Sequence, residues 1–301
     1  MLLILSSKKT VGNKTKEFFR LLGNRLQEKS VSFSISSFQD IEVFLSKEAS
    51  SVTVSGESIK RWTTIFPRKV DRHGGLAFIL ANEMKKNGGV FVDLFRARTN
   101  DLTKLVQMYL FHSQGLSIPK TYYSPTYVPD HLKNALNFLP LPIVIKQCNT
   151  SKGSGVALAQ NKKELREKID AFLQMDPSKE ILLQEFIPNT FEYRIFVTGN
   201  RVATAEKKTR TEKESFRNNV HLGAHEEFLA VEDVSENIRQ AALHAAKITD
   251  IQIGGVDIVE DATGTPIIFE VNSCPAFTLD ETISPEIKSL AEYLASCEKN
   301  S

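Results

Sequence analysis

Cysteine is scarce in this chain: three in 301 residues, Cys148, Cys274 and Cys297. So sparse and odd a set is not the disulfide framework of a small secreted domain. Also lacking is any run of the ~20 apolar residues that a membrane-spanning helix needs. The opening MLLILSS has no basic segment of the kind that starts a signal peptide, so a cytoplasmic location is expected. Nor is there an excess of charge of one sign. The 38 basic and 36 acidic residues leave a formal net charge of +2, so no global field calls for nucleic acid or an anionic membrane. Aromatic and basic residues do not interleave as a single-strand binder requires, and neither membrane nor nucleic acid is expected as a partner. The glycine tip at Gly153 and Gly155 does not precede a helix and carries too few glycines, which disfavours a P-loop and a dinucleotide fingerprint. What remains, at 41% hydrophobic and 25% charged, is an ordinary globular chain long enough for two or three compact units.

The most informative stretch is residues 253–277, IGGVDIVEDATGTPIIFEVNSCPAF. Residues 256–260 and 267–271 are β-branched and apolar, and the DATGTP between them is rich in turn formers, so the spacing predicts a hairpin. Folding about Thr263-Gly264 sets Asp257 opposite Glu270. Alternation along the strand turns Glu270 and Asn272 to one face, with cross-strand partners about 5 Å apart. Two carboxylates and an amide oxygen then converge, a donor set that suits Mg²⁺ (or Mn²⁺) sharing its shell with phosphate. Like charges this close repel unless a cation lies between them. The competing expectation is an exposed hairpin with a wet acidic face, which the apolar IIFEVN run makes less natural.

Residues 2–7 read as a buried strand, 14–28 as a helix with Phe18, Phe19, Leu21, Leu22 and Leu26 on one face, and 31–36 as a second strand. That β-α-β opening predicts a parallel sheet. Further strands are expected at 62–68 and 88–93 around a helix over 76–88, with a boundary at 97–100. A helix capped by Asn100 or Asp101 follows, then a short extended piece in SIPKTYYS and a strand in LPLPIVIKQCN. Gly153 and Gly155 bracket Ser154 between two strand-like runs. Alone, such a tip is an ordinary turn, although bare backbone N–H groups there can close over phosphate. A helix over 162–173 and the strand ILLQEFI complete this part.

Taken in order, Lys104 on a helix, Lys146 on the strand before the glycine tip, Gln184-Glu185-Phe186-Ile187 and the acidic hairpin resemble an ATP-grasp ligase of the RimK-like branch. The resemblance covers nearly the whole chain, through IFPRKVDRHGGLAFILANEM, DLTKLVQMYLFHSQGLSIPKTYYS, FEYRIFVTGNRVATAEKK, ESFRNNVHLGA and the hairpin itself. It implies a fold of α/β and α+β parts: a Rossmann-like pre-ATP-grasp domain over 1–100, an N-terminal lobe with glycine lid over 101–190, and a C-terminal lobe with the metal site over 191–301. It also implies ATP with Mg²⁺ or Mn²⁺, two ions, and ligation of a carboxylate (a peptide or small acid) to an amine such as an amino acid through an acyl-phosphate. A nucleotide-responsive binding module without turnover is the alternative, and a phosphotransferase that stops at phosphorylation is a third. The sequence leaves homo-oligomerisation open.

By the same resemblance, Lys104 and Lys146 meet the α- and β-phosphates, though either could be a solvated surface lysine. Glu185 and Ile187 would offer backbone groups to adenine and Phe186 apolar surface, with a plain core strand equally open. Glu192 is expected at the ribose, with Asn218 and Asn219 among the nucleotide contacts. Arg194 and Arg217 are expected at the phosphate and the transferred acyl group, where a planar guanidinium binds bidentately. Arg68 and Lys208 would give the acceptor pocket a cationic rim that favours acidic partners. The chain departs from the branch's pattern at Leu222 and Ala224, where an arginine and a glycine are lost, and at Ser273-Cys274-Pro275-Ala276. His221 reads as a core histidine and Cys274 as a small buried hydrophobe and not a nucleophile.

Overall fold

The computed structural model describes residues 1–47, 50–98, 102–148, 155–176, 180–209 and 225–299. The chain opens with β1 (Leu2–Ser6), α1 (Asn13–Glu28) and β2 (Phe33–Ser37), and β1 and β2 pair in parallel, as their apolar runs predict. Before the sheet continues, β3 (Ile41–Leu45), β4 (Ser50–Val54) and β5 (Glu57–Ser58) form a small antiparallel sheet of their own. Then come β6 (Thr64–Pro67), α2 (Gly74–Lys86) and β7 (Val90–Phe91), giving a sheet of order β2-β1-β6-β7. The unbroken apolar LLIL of β1 is explained by burial on both faces. Leu2 and Ile4 point toward α1, whereas Leu3 and Leu5 point toward α2.

The second part runs α3 (Lys104–Ser113), β8 (Thr121–Tyr123), α4 (Pro129–Phe138), β9 (Ile143–Gln147), β10 (Val156–Ala159), α5 (Lys162–Met175) and β11 (Ile181–Glu185). Its antiparallel sheet has the order β10-β9-β11-β8. Ile143, Ile145, Ile181 and Leu183 line its dry face with α4 and α5, so Val144, Lys146, Leu182 and Gln184 occupy the other. The cap of α3 is Thr103, not Asn100 or Asp101: its Oγ1 accepts the N–H of Val106 at 3.3 Å.

The third part contains β12 (Phe191–Thr198), β13 (Arg201–Thr209), β14 (His225–Leu229), α6 (Glu236–Ile248), β15 (Ile253–Glu260), β16 (Pro266–Asn272) and α7 (Glu286–Lys299). The strands make an antiparallel sheet of order β14-β13-β12-β15-β16. Ile195, Ala205, Val256 and Val271 face α3 and α6 in the main core, which turns Arg194, Glu206 and Asp257 to the opposite face. α7 crosses back to the first sheet, where Ile287, Leu290 and Leu294 pack with Phe18 and Leu22 of α1. The third sheet is tied to the first part by Asp93, whose carboxylate accepts the N–H groups of Gln252 and Ile253 at 2.7 and 2.8 Å. Burial pushes that carboxyl up to about 7. Among the described residues no helix is long and apolar enough to cross a membrane.

Candidate active site

The hairpin of β15 and β16 turns where its sequence predicts. Asp261 accepts the N–H groups of Thr263 and Thr265 at 2.8 and 3.0 Å, and Gly264 takes the left-handed φ of +81° that a side chain would resist. Asp257 pairs directly with Glu270, and a bulge follows on the side of Ile258. Asn272 Nδ2 donates to Asp257 Oδ2 at 3.2 Å, which leaves its carbonyl oxygen free of that contact as an acceptor. Arg194, one strand over, clasps Asp257 with both prongs, Nε to Oδ1 at 2.7 Å and Nη2 to Oδ2 at 2.9 Å. Lys104 Nζ is paired with Glu270.

This cluster is drier than a surface hairpin. Asp257 is 7% exposed. Burial pushes its carboxyl up, but the Arg194 guanidinium beside it outweighs burial and holds the group below its ordinary range. The charge of Asp257 in turn raises Arg194, while burial lowers Lys104. Among the described residues no three His, Cys, Asp or Glu side chains gather as a self-sufficient metal cage. Asp257, Glu270 and the Asn272 oxygen instead form an incomplete oxygen set, the kind that fits Mg²⁺ whose remaining ligands come from phosphate and water.

One residue that sequence reasoning missed fixes this geometry. β16 is an edge strand, and the buried Gln107 side chain completes its hydrogen bonding: Oε1 accepts from Val271 N at 2.8 Å and Nε2 donates to Val271 O at 3.3 Å. Gln107 lies one turn after Lys104, so the same face of α3 that docks on β16 delivers the lysine to Glu270. The signal available was a polar residue at helical spacing on an otherwise apolar face. Gln107→Leu strands two buried backbone groups and is expected to cost about 1–3 kcal/mol, seen as a lower urea midpoint. An unchanged midpoint would show the pairing to be dispensable.

The facing lobe brings Lys146. Its Nζ lies 4.9 Å from the centre of the Phe269 ring, and burial, with the nearby Lys104 charge, pushes it down to about 8. Glu192 on β12 attracts it from below. Gln184 shares the sheet face of Lys146 and is 2% exposed. Its Nε2 donates to Thr121 Oγ1 at 2.8 Å, and its buried Oε1 has no partner among the described residues. Such an orphan acceptor fits a donor supplied by a ligand, as the amino group of a purine would be. Glu185 is less free than expected: its carboxylate accepts Lys120 N at 2.7 Å and its own N–H goes to Lys120 O at 3.0 Å. Phe186 and Ile187 continue past β11, half-buried.

Arg68 is not an open rim cation. Its guanidinium lies against the touching Phe18 and Phe277 rings, 4.8 and 4.7 Å from their centres, and donates to Cys274 Sγ and Pro275 O, each at 3.1 Å. It thus braces the segment that leaves the acidic hairpin against the first sheet, where Cys274 is exposed beside Arg68 and not buried as expected. Lys208 is buried and lies 3.4 Å from Glu206. Gly155 is placed beside β9, its carbonyl accepting Gln147 N at 2.7 Å. Gly153, Ser154, Arg217, Asn218, Asn219, His221, Leu222 and Ala224 lie outside the described residues.

The chain is similar to known proteins over most of its length. Residues 99–292 match the RimK-like ATP-grasp domain. A probable alpha-L-glutamate ligase 2 of Shewanella amazonensis is 34% identical over 234 residues, 75% of this chain and 73% of that protein. A probable alpha-L-glutamate ligase of Vibrio atlanticus is 32% identical over 226 residues, 73% and 71% of the two chains. Among solved structures, the ATP-grasp ligase PsnB, complexed with a phosphomimetic variant of its minimal precursor, Mg and ADP, superposes with a TM-score of 0.73 at 17% identity over 98% of both chains. The D-cycloserine synthetase DcsG superposes with a TM-score of 0.69 at 13% identity over the whole of both chains. With a domain match over most of its length and relatives above 30% identity, the chain belongs to the RimK-like ATP-grasp family, ATP-dependent ligases that join a carboxylate to an amine.

Proposed function

We propose that this site phosphorylates a carboxylate with ATP and passes the resulting acyl-phosphate to an amine, releasing ADP and phosphate. The observation that carries the reading is one sheet face on which Glu270, Asp257 and Arg194 follow one another across adjacent strands, opposite the lobe that holds Lys146 and Gln184. Units over 1–100, 101–190 and 191–301 serve as substrate wall, nucleotide cover and chemical floor. Gln184, Phe186 and Ile187 receive the base, Glu192 the ribose, and Lys104 and Lys146 the phosphates. Asp257, Glu270 and Asn272 would hold Mg²⁺ or Mn²⁺, two ions by family resemblance, and the metal would supply charge neutralisation for phosphoryl transfer. Arg194 stands beside them, its orientation fixed by Asp257, and stabilises the negative charge that develops on the acyl group. Arg217, Asn218 and Asn219, with the lid around Gly153, Ser154 and Gly155, are assigned to the same phosphates by family resemblance. The relatives' names and the peptide-bound neighbours favour an amino acid and a peptide or small acid as substrates. The binding-module alternative is not favoured, since the acidic pair and its cations are all present.

Incubation with Mg-ATP and pools of amino acids and short peptides, followed by mass analysis, tests this. The expected result is ADP with a product heavier by one condensed residue. AMP and pyrophosphate, or no ATP consumption with any pool, would contradict it. The Lys146 ammonium also sets a pH limit. It loses its proton as pH rises through about 8, so nucleotide affinity should fall above that point, by up to about tenfold per pH unit. Lys146→Arg keeps its charge there, and its KM for ATP should stay flat. A wild-type KM that is equally flat from neutral to alkaline pH would remove Lys146 from the phosphates.

A further inference from the structure

The face that carries Asp257 and Arg194 continues beyond them. Cross-strand pairing sets Arg194 against Glu206 on β13 and Glu206 against Phe228 on β14. Beside this row runs a second, in which Glu192 faces Lys208 and Lys208 faces Glu226. With strands about 4.8 Å apart, Glu206 lies roughly 10 Å from Asp257 across the sheet, on the far side of Arg194.

Charges of opposite sign alternate along both rows, and the described cations there are already matched. Arg194 is clasped to Asp257, and Lys208 lies 3.4 Å from Glu206 Oε2. What is left over is one oxygen of an acid. Glu206 is 7% exposed, and its Oε1 is buried with no hydrogen-bond partner among the described residues. Burial above all, and then a hydrogen bond with the Glu226 carboxyl, push Glu206 up to about 8, so the two carboxyls share a proton that an arriving cation displaces. A buried acceptor without a donor is uncommon in a folded protein and asks for a donor from outside. Two neighbouring carboxyls with an unused oxygen select a ligand that is cationic and carries N–H groups. The reaction brings one such group, because an amino acid presents its α-amino group largely as ammonium at neutral pH. The position agrees. The acyl-phosphate must form on the metal side of Arg194 and Glu206 lies just across Arg194 from it, so an amine held there reaches the acyl carbon once its nitrogen has released a proton to water.

We propose that Glu206, with Glu226 beside it, seats the ammonium group of the amine substrate, Glu206 Oε1 accepting one of its N–H bonds. This rests on the reading of the site as a carboxylate–amine ligase. It also revises the expectation of a cationic rim: Arg68, Arg194 and Lys208 are engaged within the protein, and the specificity for the second substrate comes from acids.

Hydroxylamine separates the two halves of the reaction, because it is small, uncharged at neutral pH and traps an acyl-phosphate as the hydroxamate without needing an ammonium seat. The full chain, with Mg-ATP and the peptide and amino-acid pools, is assayed for hydroxamate formation and for amide formation. For Glu206→Gln, hydroxamate should stay within about threefold of wild type, while amide formation falls at least tenfold through a raised KM for the amine. The KM for ATP should not move. Amide and hydroxamate falling together, or amide formation unchanged, would overturn the assignment. Should Glu206→Gln fail to fold, the exposed Glu226→Gln decides: a several-fold rise in amine KM supports the seat, and an unchanged one overturns it. A wild-type protein that yields no hydroxamate from any pool would instead overturn the ligase reading, and this inference with it.

Discussion

Glu270→Gln is expected to lower kcat/KM by two to three orders of magnitude, about 3–4 kcal/mol of lost transition-state stabilisation, while the protein stays folded. The substitution keeps shape and removes charge. Glu270 is half-buried on an edge strand whose backbone is held by Gln107, so the hairpin does not depend on its carboxylate. What changes is the negative charge that faces Lys104 and completes the metal set with Asp257. An unchanged kcat/KM in a folded Glu270→Gln protein would remove Glu270 from the site. Asp257→Asn is a less clean experiment than the sequence suggests. Because Asp257 neutralises a largely buried Arg194, its loss removes a charge partner as well as a ligand.

Arg194→Leu should carry the largest combined effect. It takes from the buried Asp257 the cation that compensates it, and stranding a buried charge in this way costs about 3 kcal/mol or more. The sign of the pH dependence follows. In the wild type the Asp257 carboxyl is held below 3.8, so the pair's contribution is present above that value and is lost as pH falls through the lower, folded one. In the variant burial acts unopposed by Arg194 and raises the same carboxyl. The stability gap between the two proteins should therefore be widest near neutral pH and close toward acid, as urea denaturation at stepped pH would show. A gap that does not vary with pH would mean that Asp257 is not the group Arg194 compensates. Turnover should fall at least 100-fold in the fraction that folds, on the scale of losing one oxyanion donor.

How far the sequence could be read depended on how local each feature is. The pairing of Asp257 with Glu270 was legible because Asp261, Thr263 and Gly264 fix the turn within a few residues, and the turn fixes the register. The parallel opening was legible for a similar reason: the apolar run LLIL and the alternating VSFSIS are separated by one amphipathic helix. Arg194 could be chosen only through family resemblance, since its contact with Asp257 crosses 63 positions of chain. Glu206 was passed over because AEKK reads locally as a solvated face, and only the pairing of β12 with β13 turns it inward beside Arg194. Gln107 reads as a polar residue on a helix until β16 is seen to be an edge. Residues 41–58 hold three short strands whose alternation is too brief to stand out, and α7 belongs to a sheet formed at the opposite end of the chain.

The most direct measurement of the central claim follows oxygen rather than product mass. With a carboxylate substrate labelled with heavy oxygen in its carboxyl group, transfer through an acyl-phosphate moves one labelled atom to inorganic phosphate, with ADP as the nucleotide released. That is the result predicted for this site. Heavy oxygen in AMP, accompanied by pyrophosphate, would mean that the carboxylate is adenylated, and would contradict the account of Asp257, Glu270 and Arg194 as a phosphoryl-transfer centre.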